Sequence, residues 1–217
     1  MQSQTRGGTR WRRFAVVMVP SMAATAAIGV AVAQGALAAS FSVSGQQFKV
    51  KAGELVGQNF AQYGTVDSNS SGPHPVAVVA LKSATISNLC QSVVVPIPLI
   101  HKEISMKLTA GGGADKVTAD QLYIDADILK ADAKFDDIDI GVPVENTHDG
   151  KNGGKGPGPK PGDPIQPGSF AQQAKSVTFT NAKQRAWATT AGTFNLKGLH
   201  MNVSFDRDEC FADSEVN

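Results

Sequence analysis

Lys82-Ser83-Ala84-Thr85-Ile86-Ser87-Asn88-Leu89 and Lys175-Ser176-Val177-Thr178-Phe179-Thr180-Asn181-Ala182 are nearly the same eight-residue phrase. In each, two apolar side chains stand two apart, an Asn follows, and the next apolar residue comes one position early. A strand alternates its side chains between two faces, so the early residue would land on the wrong face unless the backbone bends there. Asn, Asp and Gly tolerate the left-handed conformation that such a bend or bulge needs. Ala133-Lys134-Phe135-Asp136-Asp137-Ile138 and Phe194-Asn195-Leu196-Lys197-Gly198-Leu199 share the skeleton, and Val117-Thr118-Ala119-Asp120-Gln121-Leu122 is a weaker copy. The sequence therefore predicts strands that turn aside at Asn88, Asp137, Asn181 and Gly198.

Around these phrases the pattern is alternation, and no long segment after Phe41 has helical spacing. Ile104, Met106 and Leu108 alternate with Glu103, Ser105 and Lys107, while Leu122, Ile124, Ala126 and Ile128 alternate with Tyr123, Asp125, Asp127 and Leu129. Each reads as a strand with one buried and one largely wet face. Gly111-Gly112-Gly113 marks a turn. The fold class is all-β, a bulged antiparallel sheet or sandwich. The sixteen-residue step from Val117 to Ala133 and the seventeen from Val177 to Phe194 keep a β-solenoid as the alternative. Between residues 141 and 168 the pattern stops. Gly153-Gly154-Lys155-Gly156-Pro157-Gly158-Pro159-Lys160-Pro161-Gly162 has almost nothing to bury and reads as a mobile surface insertion.

The N-terminus carries an address. Arg6, Arg10, Arg12 and Arg13 precede Phe14 to Ala33, a run without a charge, and Ala36-Leu37-Ala38 stands before Ala39. A basic head, an apolar stretch and an A-x-A site describe an export signal cut between Ala38 and Ala39. Arg12-Arg13-Phe14 also hints at the twin-arginine route. A retained anchor is the competing reading, since twenty residues at 1.5 Å each span a bilayer core of ~30 Å. Either way residues 39–217, read as a single β domain, lie outside the cytoplasm, secreted or held at the membrane.

Charge narrows the partners. The whole chain of 217 residues has a formal charge of +1 and only 18% charged residues, which excludes a strongly basic nucleic-acid binder. Without the four arginines of residues 1–38, sixteen basic residues face nineteen acidic ones, a charge of −3. Cys90 and Cys210 are the only cysteines, too few for a four-cysteine zinc site. In an oxidising compartment they read as one disulfide, with two buried free thiols as the alternative.

Several phrases together carry a resemblance: Gly7-Gly8-Thr9-Arg10-Trp11, Gly35-Ala36-Leu37-Ala38-Ala39-Ser40-Phe41-Ser42-Val43-Ser44-Gly45, Gln184-Arg185-Ala186-Trp187-Ala188-Thr189-Thr190-Ala191-Gly192 and Glu209-Cys210-Phe211. The chain resembles a family of exported, otherwise uncharacterised proteins of streptomycetes and related actinobacteria, often labelled "cholesterol esterase". The resemblance implies that label, and it assigns no catalytic or cofactor-binding residue.

The residues give the label little support. A hydrolase of α/β type needs a G-x-S-x-G elbow between strand and helix, and none is present. Ser44-Gly45 lacks the preceding Gly, and Ser68-Asn69-Ser70-Ser71-Gly72 reads as a polar turn. Of the four histidines, His74 sits in a Gly-Pro-His-Pro turn and His148 in the insertion, which leaves His101 and His200 as candidate bases on ordered strands. Asp120, Asp125, Asp127, Asp132, Asp136, Asp137 and Asp139 form the densest acidic patch. It reads as a solvated face, with weak calcium binding as the sharper alternative. Val93-Val94-Val95-Pro96-Ile97-Pro98-Leu99-Ile100 is apolar, and its prolines suit an edge or loop. It could plug the open end of the β core, line a lipid groove or dip into a bilayer. The sequence thus points to an exported, non-catalytic β protein without cofactor or metal, with a lipid or membrane surface as its partner; a lipid esterase is the runner-up.

Overall fold

The structure, a computed structural model, describes residues 45–69, 72–98, 101–150 and 152–216. The expected signal or membrane helix and the Ala38–Ala39 cut lie outside these residues. Among the described residues no helix is long and apolar enough to cross a membrane, which says nothing of strands.

Eight strands follow one another: β1 (Phe48–Asn69), β2 (Gly72–Ser87), β3 (Leu89–Ile97), β4 (Lys102–Ala110), β5 (Val117–Pro143), β6 (Phe170–Thr190), β7 (Thr193–Asn195) and β8 (His200–Ser204). The protein is all-β. Every pairing between these strands is antiparallel, so the architecture is a bulged antiparallel sheet and not a solenoid. The pairs β1–β2, β2–β5, β5–β6 and β6–β1 close four long strands into a small barrel. Beyond it, β3 leaves the barrel beside β1 and continues through β4 to β8 as a three-stranded wing.

The kinks make so small a barrel possible. Asn88 (φ 50°), Asp137 (φ 56°), Asn181 (φ 53°) and Gly198 (φ 66°) are all left-handed, as the phrases predict, and so is Gln121 (φ 49°) in the weaker copy. A further copy had gone unread because a glycine holds its second apolar place: Leu55-Val56-Gly57-Gln58-Asn59-Phe60, with Asn59 at φ 52°. Gly57 is there for space, since a Cβ would lie 2.5 Å from Leu81 Cδ2. The register places Asn59 between Lys82 on β2 and Lys175 on β6, with Gln121 and Asp137 one strand further out on either side. One ring of bends therefore crosses the barrel at a single level. Each bend returns the next apolar residue to the interior and sharpens the coil of the sheet.

Phe60, Phe135 and Phe179 meet inside. Phe60 and Phe135 stand on strands that do not pair, and their ring centroids are 5.2 Å apart, so the contact spans the interior. A second apolar cluster lies on the outer face, where Ala61, Tyr63, Val76, Val78, Ala80, Tyr123 and Ala171 are covered by Val144 and Ile165 from the segment between β5 and β6.

That segment differs from the expectation of a stretch with nothing to bury. It lies across the barrel as a strap. Gly156 donates to the Thr147 carbonyl (2.8 Å) and accepts from Asp149 N (2.7 Å), while Asn59 Nδ2 donates to the Lys155 carbonyl (2.8 Å). A Cβ on Gly156 would stand 2.5 Å from Ala61 Cβ, so only glycine lets the strap lie this close. Poverty in apolar side chains is what permits the contact, because backbone rather than bulk covers the sheet.

The two faces of the wing are the reverse of the sequence expectation. Ser92 and Ser105 are 2% and 1% exposed, whereas Val95 and Met106 are each 41% exposed. The polar face is covered by the C-terminal segment: Ser105 Oγ donates to the Asp206 carbonyl, Cys210 N donates to Ser92 Oγ (3.0 Å), and Lys107 pairs with Asp208 (2.7 Å). A disulfide joins Cys90 to Cys210, with Cα atoms 5.8 Å apart. Lys49 secures the same segment through Glu209 (2.9 Å) and Asp213 (3.0 Å).

Candidate functional site

Two arrangements deserve chemical scrutiny, an apolar cleft and a buried ionic cluster. The cleft opens at the end of the barrel from which the wing departs. Val50, Leu55, Ile86, Leu122, Leu129 and Phe179 form its walls, Leu89 and Gln91 lead out along β3, and Gln184, Thr189 and Phe194 stand around it. The space measures about 620 Å³ counted out to open solvent. Narrow and lined mainly by apolar side chains, it has a few amide and hydroxyl groups around it. It exists because β1 turns from one partner to another here: Val50 pairs with Gln91 on β3, whereas Leu55 pairs with Ile86 on β2.

The ionic cluster lies on the opposite surface of the sheet, beneath the strap. Asp125 is 1% exposed, and its Oδ2 accepts a hydrogen bond from Lys160 Nζ at 2.5 Å. Asp163 approaches the same ammonium at 3.3 Å. Tyr63 Oη donates to Asp163 Oδ2 (2.6 Å) and accepts from Lys160 N (2.8 Å). Asp67 completes the group: among the described residues no donor from another residue reaches its buried Oδ2 or the buried Oδ1 of Asp125, and the two carboxyls lie within hydrogen-bonding reach of each other, able to share a proton. Three carboxyls around one ammonium cannot all be ionised cheaply. Burial pushes Asp125 up to about 6 against the pull of Lys160, with the Asp67 and Asp163 charges adding to the rise. Burial also raises Asp67, and burial plus the bond to Asp163 raises Tyr63. Burial opposes charge on Lys160, but Asp125, Asp163 and Asp67 outweigh it and hold the ammonium charged. Through these contacts Lys160 and Asp163 hold the strap to Tyr63 and Asp125 of the barrel.

The other candidates fall apart spatially. His74 faces Asp67 across the β1–β2 hairpin, bonds to Asn69 Oδ1 (3.0 Å) and stacks on Trp187 at 4.0 Å. His101 precedes β4 with φ 51°, His148 is exposed in the strap, and His200 begins β8 and is exposed. Among the described residues no serine or threonine hydroxyl bonds to a histidine. The acidic patch is answered by cations: Asp127 by Arg185 (2.9 Å), Asp139 by Lys155 (3.0 Å), and Asp137 by Lys155 and Lys175 (2.7 Å each). Those two lysines draw Asp137 down to about 2. Among the described residues no group of three acids, histidines or cysteines could hold a metal.

Sequence reasoning missed the cluster. Tyr123 and Asp125 were read as a wet face, and Lys160 was hidden in a low-complexity stretch. The cue was Tyr123, an aromatic residue on the same face as Asp125, which suits a covered face better than a wet one.

With the geometry in place, the comparisons add a family and no activity. The chain belongs to a family described as of unknown function, DUF6230, which matches residues 44–211. No curated protein and no solved structure matches the chain.

Proposed function

We propose that this member of the DUF6230 family is an exported, non-catalytic barrel that holds the apolar chain of a lipid in its end cleft. The observation that carries the reading is the cleft itself, walled by aliphatic side chains and Phe179 and bordered by Gln91, Gln184 and Thr189. Burial of a chain there is driven by roughly 25 cal/mol per Å² of apolar surface removed from water. The amides and the hydroxyl meet the polar end of the lipid. Export is supported by the arginine-headed apolar run with its A-x-A site and by the disulfide, a bond that persists in oxidising compartments.

The test is titration with a fluorescent long-chain fatty acid. The wild type binds it saturably and a competing unlabelled fatty acid displaces it. Phe194→Glu and Leu129→Glu, each putting a carboxylate at the cleft, weaken binding about tenfold or more while the circular dichroism spectrum stays unchanged. No saturable binding by the wild type, or equal binding by both variants, would overturn the reading. Hydrolysis of a p-nitrophenyl ester would favour the esterase instead.

A further inference from the structure

We infer that the uncovered face of the wing docks on an anionic lipid bilayer and delivers a chain from it to the cleft. The inference rests on the proposed lipid-binding role for its second half only. In register, Gln91, Val93 and Val95 of β3 stand opposite Leu108, Met106 and Ile104 of β4, and Leu108 and Met106 stand opposite Met201 and Val203 of β8. Directly opposed residues share a face, so these side chains form one continuous surface across three strands. It is open: Met201 and Val203 are each 58% exposed and Phe205, just beyond β8, is 61%. Single exposed apolar residues need no explanation, but a connected apolar face marks an interaction surface.

The charge pattern selects the occupant. Among the described residues Lys102, at the tip of β4, is the only ionised side chain on this face of the strands, and its ammonium lies 5.3 Å from the Phe205 ring centroid. The acids of the wing are on the other side, where Glu103 meets Arg207 and Asp208 meets Lys107. An apolar surface ending in an aromatic ring and a lysine is what a headgroup boundary accommodates, because the lysine stem lies in hydrocarbon and its ammonium meets phosphate. A purely apolar protein partner would leave that ammonium without a counter-charge.

The same face runs without a break into the cleft, since Gln91 pairs with both Leu108 on the wing and Val50 at the cleft wall. A chain leaving the bilayer along β3 would exchange one apolar surface for another.

The test uses the full-length protein with vesicles of phosphatidylcholine containing phosphatidylglycerol, some with brominated acyl chains. In a background with both native tryptophans replaced, Trp11→Phe and Trp187→Phe, Val203→Trp places the sole indole on the docking face and Asn202→Trp places it on the reverse. Brominated lipid is expected to quench the first and spare the second, whether or not the N-terminal apolar run also holds the chain to the vesicle. Lys102→Glu in the Val203→Trp background is expected to weaken the quenching titration about tenfold. Equal quenching of both reporters, or none at Val203→Trp, overturns the inference. So does a dimer in light scattering that Met201→Ser with Val203→Ser dissociates, because the occupant is then a second copy. Quenching without saturable fatty-acid binding leaves the docking face standing and removes the cleft as its destination.

Discussion

The outer face of the barrel and the apolar face of the wing are both sheet surfaces, but the fold treats them in opposite ways. On the barrel, a strap of glycine, proline and lysine covers a surface that includes charged groups, and it brings Lys160 to neutralise Asp125. On the wing, the C-terminal segment and a disulfide cover the side carrying Ser92 and Ser105, while Met106, Met201 and Val203 are left open. Burying polar groups and exposing apolar ones is the costly choice on both counts. Hydrogen bonds to the C-terminal segment offset the burial of Ser92 and Ser105, but nothing in the fold offsets the exposure of Met106, Met201 and Val203.

The sharpest way to break this comparison is to remove the cation under the strap. Lys160→Met leaves Asp67, Asp125 and Asp163 without their buried counter-charge and should cost about 3–5 kcal/mol in urea unfolding at pH 7. The loss should be much smaller at pH 5, where the raised carboxyls take up protons.

The wild type carries the same dependence in weaker form. The folded pKa of Asp125 is about 6 against an ordinary 3.8, so its contribution is fully present below about pH 4 and lost as pH rises through 6. Unfolding free energy should fall by about 1–3 kcal/mol between pH 4.5 and pH 7. Asp137 acts in the other direction only when pH falls from its ordinary value toward about 2, outside that window.

Among the substitutions, the disulfide ranks next after Lys160→Met. Cys90→Ala with Cys210→Ala should cost about 2–4 kcal/mol and speed proteolysis of the C-terminal segment, since the link spans 120 residues. Gly156→Ala should cost about 1–3 kcal/mol, and limited proteolysis should then cut within the strap, because the added methyl meets Ala61 and the Thr147 carbonyl. The smallest effect belongs to the wing: Met201→Ser with Val203→Ser should change unfolding free energy by less than about 0.5 kcal/mol. A large loss there would show that the open face is structural after all.

What was legible in the sequence was local. Asn88, Asp137 and Asn181 announce themselves because a side chain arriving one place early demands a left-handed residue immediately before it, a relation within eight neighbours. Asn59 escaped only because Gly57 hides the apolar beat, and Gly57 is glycine on account of Leu81, more than twenty positions away. For the same reason the faces of β4 are reversed, and on β5, where Leu122, Ile124 and Ala126 are buried as expected, the side of Tyr123 and Asp125 is covered too. Alternation shows that a strand has two faces, but which is covered depends on a strap and a tail supplied from 20 to 100 residues downstream. The cleft was illegible altogether, since its lining comes from six strands whose residues look like any core.

The long reach of Cys90 to Cys210 also has a temporal meaning. A polypeptide delivered from its N-terminus presents β3 and β4 well before the tail that will lie behind them has emerged. During that interval the hairpin shows bare serines on one side, oily side chains on the other and an unpaired rim along β4. Such an edge invites pairing with a neighbouring chain. Oxidation is thus the step that ends this vulnerable period, and at high synthesis rates a reducing environment should yield aggregates seeded by this hairpin rather than by the barrel.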